Sequence, residues 1–209
     1  MNAYDVLHVV GFRSFMRRLY RIEVYGAERI PTNGACILTA NHESIVDPFI
    51  LAVVTTRPIH YMGKAELFRR RSVAAALRSL NTFPVERGSG DRAAMSEAAQ
   101  LLAHGAVLGI FPQGTSKQVA RRWHRGAARL ALVTGAPLVP VRMTGTRGSP
   151  LRTRVRIEVG EPITVAPAKP SVASSSRRVS SRAAATLGFA GVDQQPVALT
   201  AGGGPGRRP

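Results

Sequence analysis

Residues 35–54 read ACILTANHESIVDPFILAVV. The first seven form a short apolar run suited to a strand, and PFILAVV at the end suits a helix. Between them, Asp47-Pro48 is a helix-start signal, an acidic N-cap followed by proline at the first helical position. The stretch therefore predicts strand, turn and helix, with NHESIV as the turn. If His42 and Asp47 shared one regular helix, five steps of about 100° would set them roughly 140° apart. The histidine must precede the helix, and from there the carboxylate can reach back to its ring.

The same alternation continues along the chain: IHYMG, ELFRRRSVAAALRSL, TFPVER, DRAAMSEAAQLLAHG, AVLGIFP, HRGAARLALVTG, APLVPVRMTG and TRVRIEVGEPI follow in order. Strand-like and helix-like runs in turn predict a single-domain α/β sandwich with a largely parallel central sheet. In the run from Asp91, Met95, Ala98 and Leu102 fall on one helical face, with Asp91 placed to cap the start and Gly105 to end it. A chain of 209 residues, 44% hydrophobic, supports one domain with a real core. We place that domain at residues 23–165. Residues 166–209, rich in Ala, Ser, Pro, Gly and Arg, are predicted to be a mostly disordered tail.

Residues 1–22 interleave Val6, Val9, Val10, Phe12, Phe15, Met16 and Leu19 with Arg13, Arg17, Arg18 and Arg21. Such an amphipathic basic segment can lie in a membrane interface, or can dock on the sheet through its apolar side. No apolar stretch reaches the ~18 residues a membrane span needs, and the N-terminus lacks the layout of a cleavable signal, so no crossing is expected. One cysteine, Cys36, excludes an internal disulfide and suits a reducing compartment; inside an apolar run it reads as a buried side chain.

The net charge is +17 and the pI near 11.7. Such a balance implies an anionic partner, whether nucleic acid, membrane surface or phosphorylated small molecule. Only Lys64, Lys117 and Lys169 are lysines, so the charge is nearly all arginine. No acid occurs between Glu97 and Glu158, while Lys117, Arg121, Arg122, Arg125, Arg129, Arg142, Arg147, Arg152, Arg154 and Arg156 do. A positive surface is expected there, with scattered solvated arginines as the alternative.

Chemistry narrows the choice. A carboxylate accepting from one imidazole nitrogen leaves the other as a base at the carboxyl end of a strand, where open α/β sheets bind ligands. The plainer alternative makes Asp47 a helix cap and His42 an ordinary loop histidine. A zinc-protease reading fails because Val46 stands where the second histidine belongs. No G-x-S-x-G elbow exists and Cys36 lies within the strand, so the chain offers no obvious nucleophile of its own. A substrate hydroxyl deprotonated by His42 could instead attack an activated carbonyl, giving acyl transfer without an acyl-enzyme. TFPVERG brings Arg87 to a strand end, where a guanidinium can clamp phosphate. IFPQGTSK offers backbone N–H groups around Gly114 and Thr115 to an anion or oxyanion. It is no P-loop: Gly109 and Gly114 have the spacing, but Thr115 stands where lysine is required.

Together these blocks resemble the glycerolipid acyltransferases of the 1-acylglycerol-3-phosphate acyltransferase family, over residues 24 to 163. The family's NHxxxxD block is matched by Asn41, His42 and Asp47, its arginine-ended strand block by TFPVER, its FPEGTRS block by FPQGTSK, and its proline-containing strand by APLVPV. The resemblance implies His42 as general base, Asp47 as its orienting partner, and Arg87 and Lys64 (in MGKAEL) on the acceptor's phosphate. Gln113, Gly114 and Thr115 then belong to a substrate-binding block. It further implies acyl-CoA or acyl-carrier protein as donor, no metal or cofactor, no nucleic acid, and peripheral residence on the anionic cytoplasmic face of the membrane. Two residues depart from the pattern: Gln113 stands where the family has glutamate, and Ser116 where arginine is common. A basic nucleic-acid-binding protein and a lipid-binding member without turnover remain the alternatives, the first disfavoured by 6% aromatics and the absence of a binding motif.

Overall fold

The computed structural model describes residues 3–86, 92–113, 125–148 and 153–165, together with 179, 180, 182, 183 and 185; for residues 3–10 it describes the backbone. Seven strands, β1 (Arg21–Tyr25), β2 (Cys36–Ala40), β3 (Ile59–Lys64), β4 (Thr82–Val85), β5 (Val107–Ile110), β6 (Leu138–Thr144) and β7 (Arg154–Val159), form one sheet in the order β1-β7-β6-β2-β5-β3-β4. All neighbours run parallel except β6 and β7. That pair is joined by residues 145–153, too few for the crossover of a dozen or more residues that a parallel pair requires. The largely parallel α/β sandwich expected from the alternation is the observed architecture. Its central strand β2 is buried at every position, as a strand covered on both faces must be.

Among the described residues the helices α1 (Ala3–Leu19), α2 (Asp47–Leu51), α3 (Arg71–Ser79), α4 (Arg92–Ala103) and α5 (Gly126–Thr134) cover the sheet. The steps from β2 to β3 and from β3 to β4 move one way across the sheet, and those from β4 to β5 and from β5 to β6 move back. Right-handed crossovers therefore set α2 and α3 on one face and α4 and α5 on the other. Helix α1 joins the first layer: the Phe12 ring lies 6.3 Å from Phe49 of α2, and Arg13 Nε donates to Val53 O at 3.1 Å. Met16 and Tyr20 are buried with Ile50, Leu51, Val53 and Tyr61 in the core on this side. The opposite core is built largely of alanine, with Ala94, Ala98, Ala127, Ala128 and Ala131 around Leu102 and Leu130.

Two sequence boundaries shift. The segment expected over residues 1–22 ends as a helix at Leu19, and Arg21–Tyr25 becomes an edge strand paired with Arg154–Glu158. In the segment expected to be a disordered tail, which lies mostly outside the described residues, Val179 and Ala183 are helical and buried in the alanine-rich core. Their four-residue spacing sets both on one side of a helix.

Gly109 of β5 has a packing reason instead of a phosphate-binding one. It is in register with Tyr61, and a Cβ there would meet Tyr61 Cε1 at 2.6 Å and Ile59 Cγ2 at 2.9 Å. Only glycine lets the tyrosine ring lie across the strand. At the amino ends of β2, β3 and β5, the Arg57 guanidinium donates to the carbonyls of Pro31 (2.9 Å), Gly34 (2.6 Å) and Gly105. Next to this clasp Cys36 is fully buried, and burial pushes its thiol up to about 11, with Arg57 opposing part of the rise. No helix among the described residues is long and apolar enough to cross a membrane.

Candidate active site

The loop between β2 and α2 holds His42 at the carboxyl end of the central strand. Its Nδ1 lies 2.9 Å from Asp47 Oδ2. The same oxygen accepts the backbone N–H groups of Glu43 at 2.6 Å and Ser44 at 2.7 Å. The expected cap geometry is thus corrected: Val46 occupies the N-cap position, Asp47 is the first residue of α2, and its carboxylate turns back to organise the loop before it. Pro48, which has no N–H to satisfy, suits the start of the helix. Asp47 is fully buried, and the three contacts all converge on Oδ2, leaving the buried Oδ1 without a hydrogen-bond partner among the described residues. With Nδ1 engaged, Nε2 is the imidazole nitrogen left for a substrate.

Three further contacts fix the histidine. Asn41, buried, clasps the backbone of Met143 on β6, its Nδ2 donating to the carbonyl and its Oδ1 accepting the N–H, both at 2.7 Å. The Gln113 side-chain oxygen accepts the His42 backbone N–H. Thr39 of β2 is in register with Ile110 of β5, and His42 and Gln113 each lie three residues further on, so the contact follows from strand pairing. The His42 ring stacks on Phe111, centroids 4.5 Å apart, and Phe111 lies near-parallel to Tyr61 at 6.4 Å. Tyr61 donates its hydroxyl to Pro48 O at 2.7 Å, and burial pushes its phenol well above the ordinary range. An aromatic wall therefore backs the imidazole and ties it to α2.

The residues expected at the site separate into two groups. His42, Asp47 and Gln113 come together, the Gln113 side-chain oxygen holding the histidine's main chain. Lys64 stands at the end of β3, in register with Val85 of β4, and its Nζ lies 3.1 Å from Glu66 Oε1. The Glu66 carboxyl is held below its usual range by a hydrogen bond from its own backbone and then by Lys64. Arg87 is two residues beyond Val85, and it lies outside the described residues, as do Gly114 and Thr115. Asn41 was matched only as part of a pattern, and the roles of Phe111 and Tyr61 were not anticipated. Both depend on strand register, which no local run of sequence displays.

A family model described as Acyltransferase matches residues 21–144. A 1-acyl-sn-glycerol-3-phosphate acyltransferase of Bacillus subtilis is 32% identical over 146 residues, covering 68% of this chain and 73% of the relative. The enzyme of the same name from Borreliella burgdorferi is 32% identical over 130 residues, 60% of this chain but 52% of its own length. Among solved structures, the 1-acyl-sn-glycerophosphate (LPA) acyltransferase PlsC from Thermotoga maritima shares the fold, with a TM-score of 0.63 at 23% identity over 86% of this chain and 79% of that one.

Proposed function

The chain belongs to the acyltransferase family, and from that premise we propose that it moves an acyl chain from acyl-CoA or acyl-carrier protein to the free hydroxyl of a lysophospholipid. The acceptor best supported is 1-acylglycerol-3-phosphate, giving phosphatidic acid, since the relatives quoted above carry that activity in their names. One observation carries the chemistry: a fully buried carboxylate 2.9 Å from the histidine's Nδ1, at the carboxyl end of the central parallel strand.

In this mechanism the acceptor hydroxyl gives its proton to His42 Nε2 as its oxygen attacks the thioester carbonyl. Asp47 holds the ring with Nδ1 protonated and stabilises the imidazolium. The tetrahedral oxyanion collapses, the C–S bond breaks, and the leaving thiolate takes the proton from Nε2. Backbone N–H groups at Gly114 and Thr115 would serve the oxyanion. Arg87 and Lys64 would take the acceptor's phosphate; the exposed, solvent-screened Lys64–Glu66 pair yields readily to a phosphate. A neutral amide at Gln113 serves the His42 N–H as an acceptor, so the departure from glutamate leaves that contact intact. Work on a lysophospholipid fits peripheral residence at the anionic cytoplasmic face of the membrane.

The test incubates purified protein with labelled acyl-CoA and a panel of lysolipids. Transfer to lysophosphatidic acid is expected; no transfer to any lysolipid would reject catalysis in favour of binding alone. Charge-assisted hydrogen bonds are worth about 1.5–3 kcal/mol, so Arg87→Ala should lower kcat/KM for lysophosphatidic acid roughly tenfold to a hundredfold. An uncharged monoacylglycerol should be little affected, and Arg87→Lys should recover only part, lacking the planar fork. Equal loss with both acceptors would remove Arg87 from the phosphate site.

A further inference from the structure

Of the nine residues of α3, only Ala74 is buried. Val73, Leu77 and Leu80 recur at i, i+4 and i+7, a spacing that stacks them in one apolar stripe. The core does not take up that stripe: Val73 is 39% and Leu80 42% exposed, and Leu67, in the 3₁₀ turn Ala65–Arg69 just before α3, is 51% exposed. Arg69, Arg70, Arg71 and Arg78 are exposed in the same stretch, and no acid occurs between Glu66 and Glu86. Glu66 itself faces Lys64. The arginines of the edge strand β7 differ, because Arg156 pairs with Glu158 at 2.8 Å and Arg154 lies 3.9 Å from Glu23. The positive surface expected between Glu97 and Glu158 is thus partly neutralised where it is described, whereas residues 65–80 set four arginines against the single acid Glu66, which also faces Lys64.

Position adds to composition. The turn leaves the carboxyl end of β3, the rim at which His42 leaves β2, and only β5 lies between those strands. Two strand spacings amount to about 10 Å. On the catalytic loop Ile45 is 83% exposed.

We infer that residues 65–80 are the surface by which the protein seats on an anionic lipid bilayer. Leu67, Val73 and Leu80 enter the boundary between headgroups and acyl chains, and the four arginines meet headgroup phosphates. The catalytic rim then opens toward the lipid. This rests on the reading of the substrate as a lysophospholipid, and it moves the main membrane contact from residues 1–22, where Met16 and Tyr20 are committed to the core, to a different element.

Sedimentation with vesicles tests it, using phosphatidylcholine alone and an equimolar mixture with phosphatidylglycerol. The full chain should bind the mixed vesicles, and Arg69→Gln/Arg70→Gln/Arg71→Gln should weaken that binding on the order of a hundredfold. Val73→Ser/Leu80→Ser should weaken it roughly tenfold. Both variants should keep wild-type turnover on detergent-dispersed lysophosphatidic acid, because none of these side chains belongs to the site. Wild-type binding in both variants would overturn the inference while leaving the proposed reaction standing. Absent turnover with binding still mapped to these residues would reject the reaction alone. Loss of binding confined to Phe15→Ser/Arg17→Gln/Arg18→Gln would return the contact to α1. A dimer dissolved by Val73→Ser/Leu80→Ser, with vesicle binding unchanged, would assign the stripe to a second copy of the chain.

Discussion

Helices α3 and α5 are each nine residues long and pack on opposite faces of one sheet, yet α3 buries one residue and α5 buries five. In α5, Ala127, Ala128, Leu130 and Ala131 join the core with α4 and the strands, their small side chains allowing near approach, and Leu132 is buried as well. In α3 Val73, and Leu80 at its end, are exposed among arginines, while Ala74 is buried and Leu77 half-buried. The loop that holds His42 feeds α2, in the layer of α3. Both faces carry a packed core, and the rim on the α2–α3 side also carries the proposed chemistry. Mutations should therefore divide by helix and loop, those at buried positions of α5 lowering stability and those in the loop between β2 and α2 lowering activity.

The largest effect should come from His42→Ala, which removes the proposed base from a loop and leaves both cores whole. Turnover should fall by about a hundredfold to ten-thousandfold with little change in thermal midpoint. Retained turnover would break the division at its centre. Asp47→Asn should follow, at about a hundredfold. Its amide oxygen can still accept from Glu43 and Ser44, but a neutral group stabilises an imidazolium poorly. Asp47→Ala sharpens the point by adding a stability loss of about 1–3 kcal/mol, since two backbone donors lose a buried acceptor. Were the asparagine variant fully active and only the alanine variant unstable, Asp47 would be structural alone.

Smaller still are paired changes in the two helices. Ala131→Leu in α5 should overpack a filled core and lower the unfolding free energy by about 1–3 kcal/mol, with kcat per folded molecule unchanged. Ala75→Leu in α3 meets solvent and should stay within about 0.5 kcal/mol of wild type. Denaturant midpoints for the pair measure how unequal the two helices are. Similar losses in both would mean that α3 is packed after all.

The alternation of elements was legible because glycine and proline punctuate it: Gly105 and Gly135 both take positive φ at helix ends, and Pro48 lies in the first turn of α2. Strand β1 was hidden because RIEVY follows α1 with no such break and its charged residues continue the basic pattern of the helix. The reach of Asp47 to His42 could be anticipated from spacing, but its two bonds to loop N–H groups depend on the folded turn. The contact of Gln113 with the His42 main chain was not legible, because it depends on the pairing of β2 with β5. Val179 and Ala183, buried among the described residues, lie in a low-complexity stretch whose Ala, Ser, Pro, Gly and Arg show no apolar period.

The clasp made by Arg57 bears on the order of assembly. Its three acceptors lie 26, 23 and 48 residues away along the chain, on the loops that enter β2 and β5. The guanidinium can close only after β2, β3 and β5 have come together, so it gains nothing from early local structure. Such late contacts weigh on escape from the native state more than on reaching it. Arg57→Ala should accordingly raise the unfolding rate in stopped-flow denaturant jumps and leave the refolding rate nearly as it was, which makes the end of the sheet remote from the chemistry its kinetic latch.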